Sequence, residues 1–163
     1  MESKRVVVTG LGAITPIGNN VKDFWEGLVN GKNGACEITR FDSTLFKTHF
    51  ACEVKGYNPD DYFDKKTARK YDLFAQFDIV AADEAIADSG ITPENTDFDN
   101  VGVFLTSGIG GVNHFFNEMK EFFLNGDGTP HFGPFLITKM IANMPGGVIS
   151  IKYGFRGPNY ATV

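Results

Sequence analysis

Three hydrophobic periods divide the chain. Two runs are continuous and show no alternation: the Val-rich Arg5 to Thr9, and Val101-Gly102-Val103-Phe104-Leu105-Thr106. Continuous runs of this kind predict strands covered on both faces. Phe50 to Val54 alternates and predicts a further strand, the arm of an edge hairpin. After a Gly-Pro turn, Asn159-Tyr160-Ala161-Thr162-Val163 has the aromatic and β-branched content of a strand that is just beginning. The other segments repeat at helical spacing. Val21, Phe24, Trp25, Leu28 and Val29 define an amphipathic helix with Asn20 as its cap and Gly31 as its stop, which places Trp25 in the core. Leu73, Phe74, Phe77, Val80 and Ala81 form a second stripe, closed by Gly90. Val112, Phe115, Phe116, Met119, Phe122 and Phe123 form a third, ending before Gly126, where Gly126 to His131 reads as a surface loop. A last helix starts at Asn143-Met144-Pro145, where proline is tolerated in the first turn, and ends at Gly154.

Strands alternate with helices throughout, and no linker, repeat or low-complexity tract divides them, so the expected class is α/β with a mixed sheet covered by helices. A chain of 163 residues is long enough to bury roughly 70% of its unfolded surface. Its 16 Phe and 19 Gly are high counts, and the phenylalanines suggest thick apolar packing. A net charge of −5 argues against a general nucleic-acid or anionic-membrane surface. Within that acidic background Lys65, Lys66, Arg69 and Lys70 place four cations in six residues. On a helix they sweep an arc of roughly 140°. Continued in phase, that basic face would overlap the Leu73 stripe, so a break near Tyr71-Asp72 or an overhanging basic turn is expected, with the cations on a projecting rim.

Candidate chemistry is sparse. Cys36 and Cys52 have no C-x-x-C spacing and read as reduced thiols; His49, His114 and His131 show no metal-ligand spacing. Gly10-Leu11-Gly12-Ala13-Ile14-Thr15-Pro16-Ile17-Gly18 follows a strand-like run, but Thr15 stands where a dinucleotide fingerprint needs glycine, and Pro16 stops a helix from starting there. Ser107-Gly108-Ile109-Gly110-Gly111 has the form of a phosphate-cradling loop, without the lysine of a Walker motif. Nucleotide binding is therefore disfavoured at both loops. The opening Met1-Glu2-Ser3-Lys4-Arg5 lacks a cleavage site, and no later run reaches the 18 or more apolar residues of a membrane span, so a cytoplasmic location is the default.

Several of these strings together resemble one family. Val6-Val7-Val8-Thr9-Gly10-Leu11-Gly12, Ile38 to Asp42, the basic D-x-K-x-x-R-K stretch at Asp64 to Lys70, the Ser107 to Gly111 loop, Gly133-Pro134-Phe135-Leu136, and Gly154-Phe155-Arg156-Gly157-Pro158 leading into Asn159 to Val163 are similar to the β-ketoacyl-acyl-carrier-protein synthases. These are the condensing enzymes of type II fatty-acid synthesis, in the thiolase-like superfamily. The resemblance runs from residue 4 to residue 163 and implies the N-terminal half of a thiolase-like fold, residues 1–163, with the C-terminal half absent from this chain. It implies decarboxylative Claisen condensation of an acyl-enzyme thioester with malonyl-carrier, with no cofactor of the enzyme's own, the phosphopantetheine arriving on the carrier.

By the same resemblance the catalytic cysteine follows about three residues beyond Val163, at a helix N-terminus whose dipole favours the thiolate. The enolate-stabilising histidines also lie further on, so no catalytic residue is assigned in this chain. Gly108 and Ile109 are implied at the acyl-chain pocket. Phe135 and Leu136 are implied to reach the pocket of a dimer partner. Lys65, Lys66, Arg69 and Lys70 are implied to dock the acidic acyl carrier protein; Pro130 and His131 stand where relatives carry further paired basic residues. Asn159, Tyr160, Ala161, Thr162 and Val163 are implied to pair across a homodimer twofold. The chain ends within a strand-like run, and the molecule is expected to be longer. The alternatives are a non-catalytic partner subunit of the chain-length-factor type, distinguished by the residue three past Val163, and a polyketide ketosynthase. Nucleotide binding, the remaining class, is tested by thermal shift with NAD and ATP.

Overall fold

The computed structural model describes residues 4–125 and 129–162. Val163 and the Gly126-Asp127-Gly128 part of the loop named above lie outside the described residues. The chain divides into two compact units, Met1–Asn58 with Val80–Gly90, and Pro59–Ile79 with Ile91–Val163.

In the first unit helix α1, Val21–Val29, starts where expected: Asn20 is extended and its side chain accepts from the Asp23 N–H at 2.8 Å. Its buried residue is Gly27, seated against Ile17. Trp25 lies roughly 160° round the helix from Gly27 and is 64% exposed, which corrects its expected place in the core. The side facing the unit is therefore Val21, Phe24 and Gly27, and the glycine that makes the close approach carries no hydrophobic signal. Strands β1, Cys36–Glu37, and β2, Phe50–Ala51, form the hairpin pair expected of the alternating run, antiparallel with Cys36 opposite Ala51. Arg5 to Thr9, by contrast, is not a strand. Val6 is 91% exposed and Val8 79%, and no described residue pairs with the segment. A two-sided apolar run needs a ladder neighbour and cover on both faces, and neither is present among the described residues.

The second unit carries α2, Lys65–Ala68, and the start of α3, Leu73–Ser89, whose residues from Val80 on belong to the first unit. The helical run does break at the expected point. Gln76, almost fully buried, spans the break by donating its amide to the carbonyls of Ala68 and Tyr71, both at 3.1 Å, which satisfies acceptors that the end of α2 leaves without intrahelical partners. Strand β3, Val103–Thr106, runs parallel to β4, Asn159–Thr162, with Val103 opposite Asn159 and Thr106 opposite Thr162. The turn before β4 is pinned to the residues before β3: Gly157 N–H donates to Val101 at 3.0 Å, and a Cβ on Gly157 would sit 2.6 Å from that same carbonyl. Helix α4, Val112–Lys120, continues into a π-helical turn, Glu121–Asn125, and packs on α5, Leu136–Met140. Helix α6, Met144–Tyr153, packs on both β3 and β4 and ends at Gly154 in the left-handed conformation, φ 75°.

Ala75, Ile79, Val103, Ile149 and Phe155 form the apolar core of this unit, with Phe98 edge-on to Phe155 at 5.0 Å. Among the described residues the β3–β4 pair is covered on one face. Phe104 and Tyr160, register partners with ring centres 5.6 Å apart, are 68% and 62% exposed on the other face. Helices and strands are interspersed along the chain, with runs of two and three helices between strands, and both strand senses occur, the antiparallel pair in one unit and the parallel pair in the other.

Candidate functional site

The residues singled out for function converge in the second unit. The basic stretch begins at Asp64, whose carboxylate caps α2 by accepting from the N–H groups of Lys66 and Thr67 at 2.9 and 3.0 Å. The Thr67 hydroxyl, and after it the Thr67 N–H, hold this carboxyl below its ordinary value, so the cap stays ionised. Lys65, Lys66 and Arg69 are exposed and Lys70 is half-buried. The carbonyl of Lys70 lies 3.5 Å from the Thr138 hydroxyl on α5, the helix that Phe135 precedes and Leu136 opens. Phe135 is exposed and Leu136 half-buried.

The opposite end of α5 meets the glycine loop. Gly111 N–H donates to the Met140 carbonyl at 3.0 Å. A Cβ on Gly111 would lie 1.8 Å from the Lys139 carbonyl, and one on Gly110 2.4 Å from that of Met140. Glycine is needed here because backbone meets backbone. Gly110 N–H donates to the Ser107 hydroxyl at 2.9 Å. With Gly110 and Gly111 committed inside the protein, the loop presents no converging set of free N–H groups for a phosphate, unlike a P-loop. What it presents is Ile109, 72% exposed, beside Gly108, where a Cβ would meet nothing within 4 Å. The loop follows β3 directly, and Ser107 N–H donates to the Thr162 carbonyl at 3.1 Å. Basic segment, α5, glycine loop and β4 are thus consecutive neighbours. Asn159 turns its side chain toward α6, donating to the Ser150 hydroxyl at 2.8 Å.

The loop of the first unit, Gly10 to Gly18, is closed to nucleotides for a different reason. The Glu84 carboxylate accepts from Ala13 and Val21 N–H at 2.9 Å each, and Asp88 accepts from Leu11 N–H at 3.0 Å. Two carboxylates occupy the donors that a pyrophosphate would need and would repel it. A Cβ on Gly12 would stand 1.8 Å from the Ala81 carbonyl, so the glycines serve helix packing. Glu84 and Asp88 were not singled out in the sequence, although acidic residues four apart share one helix face and were a usable signal. Gln76 was missed too, and nothing in its spacing marks it. Among the described residues no group of His, Cys, Asp and Glu could hold a metal ion, and no helix is long and apolar enough to cross a membrane.

Burial raises the Asp78 carboxyl on α3 from 3.8 to about 6. An acid raised by burial reverses the usual carboxylate behaviour: both states are protonated below about pH 4, the unfolded chain ionises first as pH rises, and stability falls until about pH 6. The shift corresponds to at most about 3 kcal/mol, and about 1 kcal/mol remains once screening of this half-exposed group is counted. Asp78→Asn is therefore expected to raise stability by about 1 kcal/mol at pH 7 and to leave it unchanged at pH 4. Thermal melts at the two pH values check this, and equal effects at both would remove the role of the charge.

Solved structures that superpose on this chain show the class of its fold. The ishigamide ketosynthase/chain length factor superposes with a TM-score of 0.78 at 25% identity, covering 96% of this chain and 39% of that one. The ketosynthase complex of a type II PKS acyl-carrier protein gives 0.74 at 27%, covering 94% and 40%. A β-ketoacyl synthase from Burkholderia phymatum STM815, at 18% identity and TM-score 0.71 over 98% of this chain and 39% of that one, shares the fold. The fold is thus that of the thiolase-like ketosynthases.

The family model for the β-ketoacyl synthase N-terminal domain matches residues 3–163, and the chain belongs to that family. It is 43% identical over 162 residues to the 3-oxoacyl-[acyl-carrier-protein] synthase 2 of Staphylococcus aureus (strain N315), covering 99% of this chain and 39% of that protein. The proteins of the same name from Synechocystis sp. and Coxiella burnetii are 42% and 43% identical over 163 residues, covering all of this chain and 39% of each of them. The chain therefore spans about two fifths of the length of these relatives, 39% in each case.

Proposed function

We propose that this chain supplies the N-terminal part of a 3-oxoacyl-[acyl-carrier-protein] synthase acting in fatty-acid elongation. In that reaction an acyl group passes from carrier to an enzyme thiolate, malonyl-carrier loses CO₂, and the resulting carbanion attacks the acyl thioester. A carbon–carbon bond forms and the enzyme thiolate departs. In this proposal the chain's own residues position and receive, and the nucleophile comes from further along the polypeptide. Lys65, Lys66, Arg69 and Lys70 steer the acidic acyl carrier protein. Gly108 and Ile109 line the acyl chain's path, with Phe135 and Leu136 acting at the pocket of the second subunit of a homodimer. No cofactor of the enzyme's own is needed, and the location is cytoplasmic. Neither nucleic acid nor membrane is a partner.

The observation that carries the reading is the run of neighbours from the basic segment through α5 to the Ile109 loop and β4. It connects a cationic rim to exposed apolar residues inside one compact unit. The names of the relatives support the reaction. The chain-length-factor alternative shares the fold, and the solved ketosynthase/chain length factor supports it at 25% identity; identity of 42–43% to the 3-oxoacyl-[acyl-carrier-protein] synthases favours the catalytic reading.

In the full-length protein, Lys65→Glu, Lys66→Glu and Arg69→Glu together are expected to raise KM for the acyl carrier protein by about tenfold or more at low salt, an effect that shrinks as ionic strength rises. Turnover of a small acyl thioester that needs no carrier should barely change. Lys70 is left intact because it is half-buried beside α5. Equal losses with both substrates would point to damaged folding and reject docking at this rim.

A further inference from the structure

Glu118 lies on α4 and reaches across to the segment that opens α5. Its Oε2 accepts from the Gly133 N–H at 2.8 Å. A Cβ on Gly133 would stand 3.2 Å from Oε1, so the glycine leaves room for the carboxylate and little else. Oε1 faces His114, one turn earlier on the same helix, whose Nε2 is 3.7 Å away. That distance is too long for a hydrogen bond, and the buried Nε2 has no hydrogen-bond partner among the described residues. A second contact holds the segment one residue earlier. The ring of Phe132 lies 5.5 Å from that of Phe122, on the π-helical turn that continues α4.

We infer that Glu118 is a positioning residue: it sets where Phe135 and Leu136 stand, and through them how the site responds to the length of the acyl chain. The inference rests on the acyl-pocket reading above. Gly133 carries the constraint forward. Pro134 follows it, with φ locked at about −65° and no N–H of its own, so the backbone from Gly133 to Phe135 has little freedom. The Gly133 carbonyl accepts from the Leu136 N–H at 2.9 Å. The Phe135 carbonyl accepts from the Lys139 N–H at 2.9 Å and the Thr138 hydroxyl at 3.0 Å. These bonds tie Phe135 and Leu136 to Gly133 and to the first turn of α5, but they are local and do not place that turn in the unit. With five residues, α5 is too short to form without support from its neighbours. Its far end is held by the bond from Gly111 to Met140. At its near end the Thr138 contact with the Lys70 carbonyl, at 3.5 Å, is at the limit of a hydrogen bond. The Glu118 bond is the short one there, and its acceptor is a carboxylate, which makes such a bond about twice as strong as a neutral one. An acidic residue on an amphipathic helix ordinarily turns to water. The Glu118 side chain is only 21% exposed and gives an oxygen to a backbone donor from another segment. All these contacts lie within one compact unit, and none depends on a surface being open to solvent.

The test is kcat/KM of the full-length protein with hexanoyl- and dodecanoyl-carrier, for Glu118→Ala, Glu118→Gln and Leu136→Ala. Glu118→Ala is expected to lower kcat/KM about tenfold for the dodecanoyl substrate and less than about twofold for the hexanoyl one, because the longer chain buries more methylene against the displaced pair. Glu118→Gln keeps a carbonyl oxygen for Gly133 and should stay within about twofold of the parent with both substrates. Combining Glu118→Ala with Leu136→Ala should cost less than the product of the two single losses, since both act through one contact. If Leu136→Ala discriminates by chain length and Glu118→Ala does not, the inference fails and the pocket reading stands. If Leu136→Ala does not discriminate, the pocket reading of that residue fails and the inference falls with it. Equal losses with both substrates in Glu118→Ala, accompanied by a lower melting temperature, would reduce Glu118 to a stabilising contact and overturn the inference. A glutamine variant no better than the alanine one would overturn it as well.

Discussion

Gly111→Ala is expected to lower stability by about 3 kcal/mol, or roughly 10 °C in melting temperature for a domain of this size. The substitution puts a methyl group 1.8 Å from the Lys139 carbonyl and close to the Met140 Cα. Both obstacles are backbone of a helix, so no side-chain rotation relieves the clash, and the glycine loop must move off the end of α5. That movement breaks the 3.0 Å hydrogen bond from Gly111 to Met140 and displaces Ile109. Gly147→Ala supplies the contrast. A Cβ there meets nothing within 4 Å, and alanine at this helical position is expected to stabilise by about 0.5–1 kcal/mol through the unfolded state. Calorimetry on both variants checks the pair. Similar melting temperatures for the two would mean that the loop does not press on α5 as described.

The contrast between these glycines also shows what the sequence made legible. The helices announced themselves: Asn20 as a cap, the break before Leu73 and the stop at Gly154 were all readable, because caps, phase conflicts and left-handed glycines act locally. The segments proposed for the site were singled out from short strings. What joins them was not, because Thr138 beside Lys70 and Met140 beneath Gly111 are contacts between segments that no local pattern encodes. Trp25 shows a different limit. Its spacing with Val21 and Leu28 is compatible with a core face, yet α1 turns inward the side where Gly27 permits close approach. Periodicity finds an apolar arc and cannot say which edge of it packs. The valines at Arg5 to Thr9 fail for a related reason. A strand is made by its neighbours, and none of the described residues pairs with them.

The strand at the other end of the chain has one neighbour among the described residues, and this sets the largest functional effect. Val103 and Ser107 donate to the Pro158 and Thr162 carbonyls. With a period of two, Pro158, Tyr160 and Thr162 therefore turn their backbone toward β3, and Asn159 and Ala161 turn theirs away. Ala161 N–H thus belongs to the edge proposed to pair across the homodimer twofold. Ala161→Pro in the full-length protein removes a donor from that edge and leaves the β3 ladder its own donors and acceptors. An isologous interface feels the change twice. Light scattering is expected to show monomers or aggregates, with activity lost under the proposal that Phe135 and Leu136 act at a second subunit's pocket. Ala161→Gly, which keeps the N–H, should retain the dimer. An intact, active dimer in the proline variant would place the twofold elsewhere, and the proposed reach of Phe135 and Leu136 across it would lose its basis.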